Sequence, residues 1–133
     1  MTSPRSSPVP VGSAGTLSDS RLFRQAAYID GRWIAPRNGS ANATPVDNPA
    51  TGDTLGVVPN LNASDARAAI DAADRAFVGW RATTAKTRAA ALRCWFELML
   101  VNQEDLVRLV TLEQSKPLAE AKSEVAYAAS FLE

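Results

Sequence analysis

A lone thiol, two lysines and a pair of aromatic rings are the residues of this chain whose types or spacing could do chemistry. Cys94 is the single cysteine, and the 133 residues include no histidine. A reactive thiolate needs a neighbouring base or cation, and its commonest partner is missing. The same absence removes Ser-His pairs and His-based metal sites. Cys94 lies among Ala89, Ala90, Ala91, Leu92, Trp95 and Phe96, so it is expected to be a buried small hydrophobe and no nucleophile. Lys116 and Lys122 are the right type for a phosphate or carboxylate. Neither follows a Gly-rich phosphate loop, and solvated or helix-capping ammonium groups are the expectation. Tyr127 and Phe131 are four residues apart, so on a helix both rings share one surface. That surface is either a contact for a following segment or the wall of a substrate passage.

The elements that must position these residues follow from punctuation and periodicity. Leu22 and Phe23 start a short helical turn. Tyr28 to Ile34 reads as a hairpin, because Asp30-Gly31 accepts positive φ between two β-type flanks. A second strand–turn–strand runs from Thr44–Val46 through Asn48-Pro49-Ala50-Thr51-Gly52-Asp53 to Thr54–Pro59. Four helices should follow. Ser64 caps the first, which runs to about Gly79 with Ala66, Ala69, Ile70, Ala73 and Phe77 on its packing face. Thr84 caps the second, to about Val101. Asn102 caps the third, to about Gln114, with Glu104 and Asp105 in its favourable first turn. Pro117 opens the fourth, which is expected to run on through Glu133, packing through Leu118, Ala121, Val125, Ala128 and Leu132. The second helix is apolar around most of its circumference and should be buried on most sides. Trp33, Trp80 and Trp95 read as core or edge packing.

Composition sets outer bounds. Formal net charge is zero and 46% of residues are apolar, which excludes a basic nucleic-acid binder or a polybasic lipid-binding surface. No apolar run reaches membrane-spanning length. Residues 1–16 are rich in Ser and Pro with almost no large apolar groups, and are expected to be a disordered tail ahead of one ordered unit at 17–133. Residues 1–45 carry five Arg against two Asp, while 103–133 carry three basic residues against six acids. This asymmetry reflects either solvated surface or packing between the two ends. A lone cysteine fits a reducing compartment.

From about Leu17 onward the chain resembles the aldehyde dehydrogenase superfamily, most closely its succinate-semialdehyde dehydrogenase branch. The segments LFRQAAYIDGRW, NPATGD, ARAAIDAADRAF, LRCWFELM and TLEQSKPLAEAKSE with AYAASF carry the resemblance. TLEQ-x-KPLAEAK is the most specific of them. Ser115 and Ser123 stand where that family usually has glycine.

The resemblance implies an α/β fold, of which two hairpins and four helices form the N-terminal part of the cofactor-binding domain. It implies a cytoplasmic homo-oligomer that oxidises succinate semialdehyde with NAD or NADP through a cysteine thioester. A glutarate or other small acid semialdehyde is the neighbouring alternative, and a stand-alone helical binding module is the rival class. The family's nucleophile, general base and main cofactor contacts match nothing in residues 1–133, so no catalytic or cofactor-binding residue is assigned and this portion alone is expected to be inactive. The resemblance also favours the passage-lining reading of Tyr127 and Phe131.

Overall fold

The computed structural model describes residues 17–36 and 42–133. The tail read at 1–16 lies outside the described residues. A 3-10 turn at Ser20–Leu22 precedes β1 (Ala27–Ile29) and β2 (Arg32–Ile34), then β3 (Ala43–Asp47) and β4 (Thr54–Pro59). Four helices follow: α1 (Ala63–Ala82), α2 (Ala85–Val101), α3 (Gln103–Gln114) and α4 (Leu118–Ser130). Two hairpins and four helices in this order match the sequence expectation.

Both hairpins turn where the residues permit positive φ. Asp30 and Gly31 have φ of 52° and 74°, which twists the turn with the right-handed strands it joins. β1 and β2 then pair antiparallel with Tyr28 opposite Trp33, their rings 5.0 Å apart. In the second hairpin the Asn48 side chain accepts from the Ala50 amide at 2.9 Å, and its carbonyl accepts from Gly52 at 2.7 Å. Gly52, at φ 77°, closes that turn.

The helix caps show where single-residue reading went astray. Asn62, not Ser64, caps α1: its side chain accepts from the Ser64 and Asp65 amides, while Asp65 accepts from the Asn62 amide. This reciprocal box satisfies orphan donors at both ends, which Ser64 in the first turn cannot do. Thr84 caps α2 as expected, accepting from Thr87. Asn102 does not cap α3 with its side chain. It donates back to the Leu98 carbonyl at 2.8 Å and so finishes α2. Ser115 ends α3 at φ 54° in the left-handed region, the conformation for which glycine is preferred. Ser123 has no such role; it sits inside α4 and donates to the Ala119 carbonyl at 3.1 Å. Pro117 stands at the N-cap of α4, one position ahead of the expected first turn. α4 ends at Ser130, and Phe131 donates to Ala128 as its C-cap, so the helix does not run on through Glu133.

The core lies between α3 and α4, where Val107, Ala121 and Val125 pack with Leu106 and Val110. The buried positions of α4 are Ala121, Val125 and Ala129, strictly four apart. The expected stripe is therefore rotated: Ala129 replaces Ala128, and Leu118 is exposed. Of the two buried alanines, Ala121 belongs to the α3–α4 cluster and brings only a methyl group to it.

α2 has no buried residue, contrary to the expectation from its apolar circumference. Cys94 is exposed, so its reading as a buried hydrophobe is corrected. Trp33, Trp80 and Trp95 are likewise exposed, as are Ile70 and Phe77 on the expected packing face of α1. The physical reason is the same in each case. Apolar periodicity reports which face seeks a partner, and the packing among the described residues leaves these side chains exposed.

Candidate functional site

The outward face of α4 is where the candidate residues gather. Tyr127 and Phe131, one turn apart, pack edge to face with centroids 4.8 Å apart and planes at 78°, the geometry that sets a ring's positive edge against its neighbour's negative face. They remain 66% and 70% exposed. The buried row Ala121, Val125 and Ala129 lies on a different side of the helix, as expected. Ser130 donates to the Tyr127 carbonyl at 2.8 Å and helps close the helix beneath the pair. Beyond it, Arg93 of α2 bonds Glu97 at 3.0 Å and Glu133 at 3.0 Å, which pins the last residue against α2.

A shallow groove continues from Tyr127 along Ala119, Glu120, Ser123 and Glu124 to Lys116. Lys116 is paired with Glu124 across this groove, and Lys122 with Glu104 at 3.3 Å. Both lysines are therefore surface ion-pair partners, a third arrangement beside the solvated and helix-capping ones expected. The groove offers the Tyr127 ring, the Lys116–Glu124 pair and the Glu120 carboxylate. It can orient or exclude, but it has no nucleophile–base pair. Among the described residues no cluster of His, Cys, Asp or Glu could hold a metal ion, and no helix is long and apolar enough to cross a membrane.

Among the described residues no Gly-rich strand-to-helix turn presents amides to a dinucleotide's phosphates; Gly31 and Gly52, the glycines with positive φ, serve hairpin turns.

Sequence reading missed the best-formed polar site of the molecule. The Asp105 carboxylate, 4% exposed, accepts from the backbone amides of Ser18 at 2.9 Å and Asp19 at 2.8 Å, and from Arg108 at 3.1 Å. The two amide bonds, the largest influence, hold its carboxyl below the usual carboxylate range. Nearby, Arg21 bonds Asp19 through its side chain and backbone and lowers that carboxyl to about 2. The two ends of the chain do meet here, as one reading of the charge asymmetry allowed, but through backbone amides and not through arginines. An acid in a helix's first turn is common, so nothing local distinguishes Asp105 from Glu104.

The hairpin-and-helix order, the left-handed Ser115 and the α4 segment all accord with one family. The aldehyde dehydrogenase family model matches residues 33–133, and the chain belongs to that family. It is 61% identical over 117 residues to an NADP(+) succinate-semialdehyde dehydrogenase of Escherichia coli, covering 88% of this chain and 24% of that protein. It is 59% identical over 117 residues to a glutarate-semialdehyde dehydrogenase of Pseudomonas aeruginosa, with the same 88% and 24% coverage. A crystal structure of an Escherichia coli NADP-dependent enzyme superposes with a TM-score of 0.84 at 60% identity, over 87% of this chain and 24% of that one. The chain thus spans about a quarter of the length of these relatives.

Proposed function

We propose that residues 17–133 are the N-terminal part of the cofactor-binding domain of a dehydrogenase that oxidises a small acid semialdehyde with NAD or NADP. The carrying observation is near-equal identity to a succinate- and a glutarate-semialdehyde dehydrogenase. Both relatives are named for a short aldehyde that also carries a carboxylate. Succinate semialdehyde is the first substrate to test and glutarate semialdehyde the second. The NADP named for two of the similar proteins supports trying NADP alongside NAD. The enzyme is read as a cytoplasmic homo-oligomer; the lone cysteine supports a reducing compartment.

Within this reading, Tyr127 and Phe131 wall the approach to the aldehyde site. Their support is the exposed edge-to-face pair on a helix face that the described core does not use. Rigid aromatic walls narrow a passage and displace water without adding charge, which suits a slim substrate.

The test uses the complete protein that carries this segment. It should prefer succinate or glutarate semialdehyde over acetaldehyde and betaine aldehyde, and a reversed preference would remove the substrate assignment. Tyr127→Ala should raise KM and widen tolerance for bulkier aldehydes while leaving cofactor affinity near wild type. A lowered melting temperature with an unchanged substrate profile would make the pair plain packing. Residues 1–133 alone should give no turnover above a protein-free control.

A further inference from the structure

Residues 18–25 have little reason of their own to hold one conformation. They form one 3-10 turn and then extended backbone, with no fully buried side chain. Nevertheless, three independent contacts fix them to distant parts of the chain. At one end, the Ser18 and Asp19 amides donate to the two oxygens of Asp105, 87 and 86 residues away. At the other end, the Gln25 carboxamide oxygen accepts from the Val57 amide of β4 at 2.7 Å. Between them, Phe23 lies over Gly56. A Cβ built on Gly56 would stand 2.8 Å from the Phe23 ring and 2.8 Å from the Gln25 oxygen, so the close approach depends on glycine.

These contacts seat the segment over a groove lined by Leu22, Phe23, Val46, Val57, Leu109 and Glu113. The segment supplies one wall, β3 and β4 a second, and α3 the third. We propose that residues 18–25 are a strap that opens as a separate unit, clasped to α3 by the Asp105 carboxylate and seated on β4 by Gly56, and that its seating holds one wall of this groove in place. Asp105 is well suited to the task. It offers an acceptor oxygen to each of two successive amides, which a neutral carboxamide cannot do. Arg108 steadies it from the same helix at 3.1 Å. Gln25 occupies a β4 amide that would otherwise be an open edge donor.

The strap carries its own reporters, because trypsin cleaves after Arg21 and Arg24, and both bonds need the segment to lift before a protease can bind them. Arg75 and Arg81 in α1 serve as internal controls. In the full chain, Asp105→Asn removes one acceptor oxygen at nearly constant shape, and Gly56→Ala pushes Phe23 and Gln25 away from the opposite end. Each substitution should speed cleavage after Arg21 and Arg24 by about tenfold or more relative to the α1 sites, the signature of local opening. Amide exchange should accelerate at Ser18, Asp19 and Val57 while Val107 and Val125 keep wild-type protection. Unchanged strap cleavage in Asp105→Asn would overturn the clasp. Equal acceleration at Arg75 and Arg81 would overturn the strap as a separate unit, since the whole fold would then be loosening.

Discussion

α2 and the α3–α4 pair are built from similar residues and end in opposite situations. α2 runs AKTRAAALRCWFELMLV without a buried side chain, and Val101 at its end is 81% exposed. α3 and α4 are less continuously apolar, yet Val107 is 4% exposed and Ala121 and Ala129 are fully covered. The difference lies in the partner, not in hydrophobicity. Ala121 and Val125 of α4 pack with Leu106, Val107 and Val110 of α3, and the short Ser115-Lys116-Pro117 link returns the chain directly. α2 meets α3 and α4 along part of its surface, where Phe96 and Met99 are half-buried, and leaves Leu92, Trp95, Leu98 and Val101 exposed. Burial is a property of pairs of surfaces, and a helix's own composition supplies only one of them.

The largest test of this contrast places the same charge in both regions. Val107→Asp puts a carboxylate in the α3–α4 core without a partner and should cost about 3 kcal/mol or more. Leu98→Asp on exposed α2 should cost within about 0.5 kcal/mol. Denaturant midpoints of the two variants decide the matter. Equal costs would mean that α2 is covered in solution and the contrast is false.

Acid provides the next test, because it acts on the clasp and spares the apolar core. Asp105 and Asp19 both have carboxyls held below their ordinary values. Their stabilisation is therefore complete above the unfolded value of about 4 and lost as pH falls through the lowered folded value. The charged groups around Asp105 are Arg108 on its own helix and Asp19, with its partner Arg21, on the strap. The stability gap between wild type and Asp105→Asn should be widest near neutral pH and close steadily below about pH 4. A gap that stays constant down to pH 2 would show that the Asp105 charge contributes nothing.

How much of this was legible in the chain depends on whether the signal was local. The Asp30-Gly31 and Asn48–Gly52 turns and the Thr84 cap are set by a few neighbouring residues, and sequence reading found them. The Asn62–Asp65 box was equally local and was overlooked in favour of Ser64, although acceptor and carboxylate three apart are its usual mark. By contrast, the exposure of Cys94, Trp95 and Ile70 turns on which surfaces meet, and the Asp105 clasp joins residues more than eighty positions apart. No periodicity carries that information. The candidate pair was legible as a pair because i and i+4 neighbours meet on any helix, so Tyr127 and Phe131 pack as spacing requires.

A smaller effect is expected where the packed pair turns. Ser115 holds φ 54° at the end of α3, a conformation that costs a side-chain-bearing residue about 1 kcal/mol more than glycine. Ser115→Gly should therefore raise stability by up to about 1 kcal/mol, read as a shifted denaturant midpoint at unchanged slope. A loss of stability would mean that serine's own contacts outweigh its strain.

The smallest expected effect falls on α2 and is the most direct check on its exposure. Cys94 looked in sequence like a side chain whose loss would cost packing. Its exposure reverses that expectation for this chain. Cys94→Ser replaces one small exposed group with another, so stability should stay within about 0.5 kcal/mol of wild type. The native thiol should also react with a neutral disulfide reagent within about tenfold of its rate in denaturant, because no opening is needed to reach it. Slow labelling together with a stability loss would place Cys94 under a covering surface and would make α2 resemble the α3–α4 pair. Fast labelling with no stability change would leave Leu92, Trp95 and Leu98 as an apolar face open to solvent in this chain.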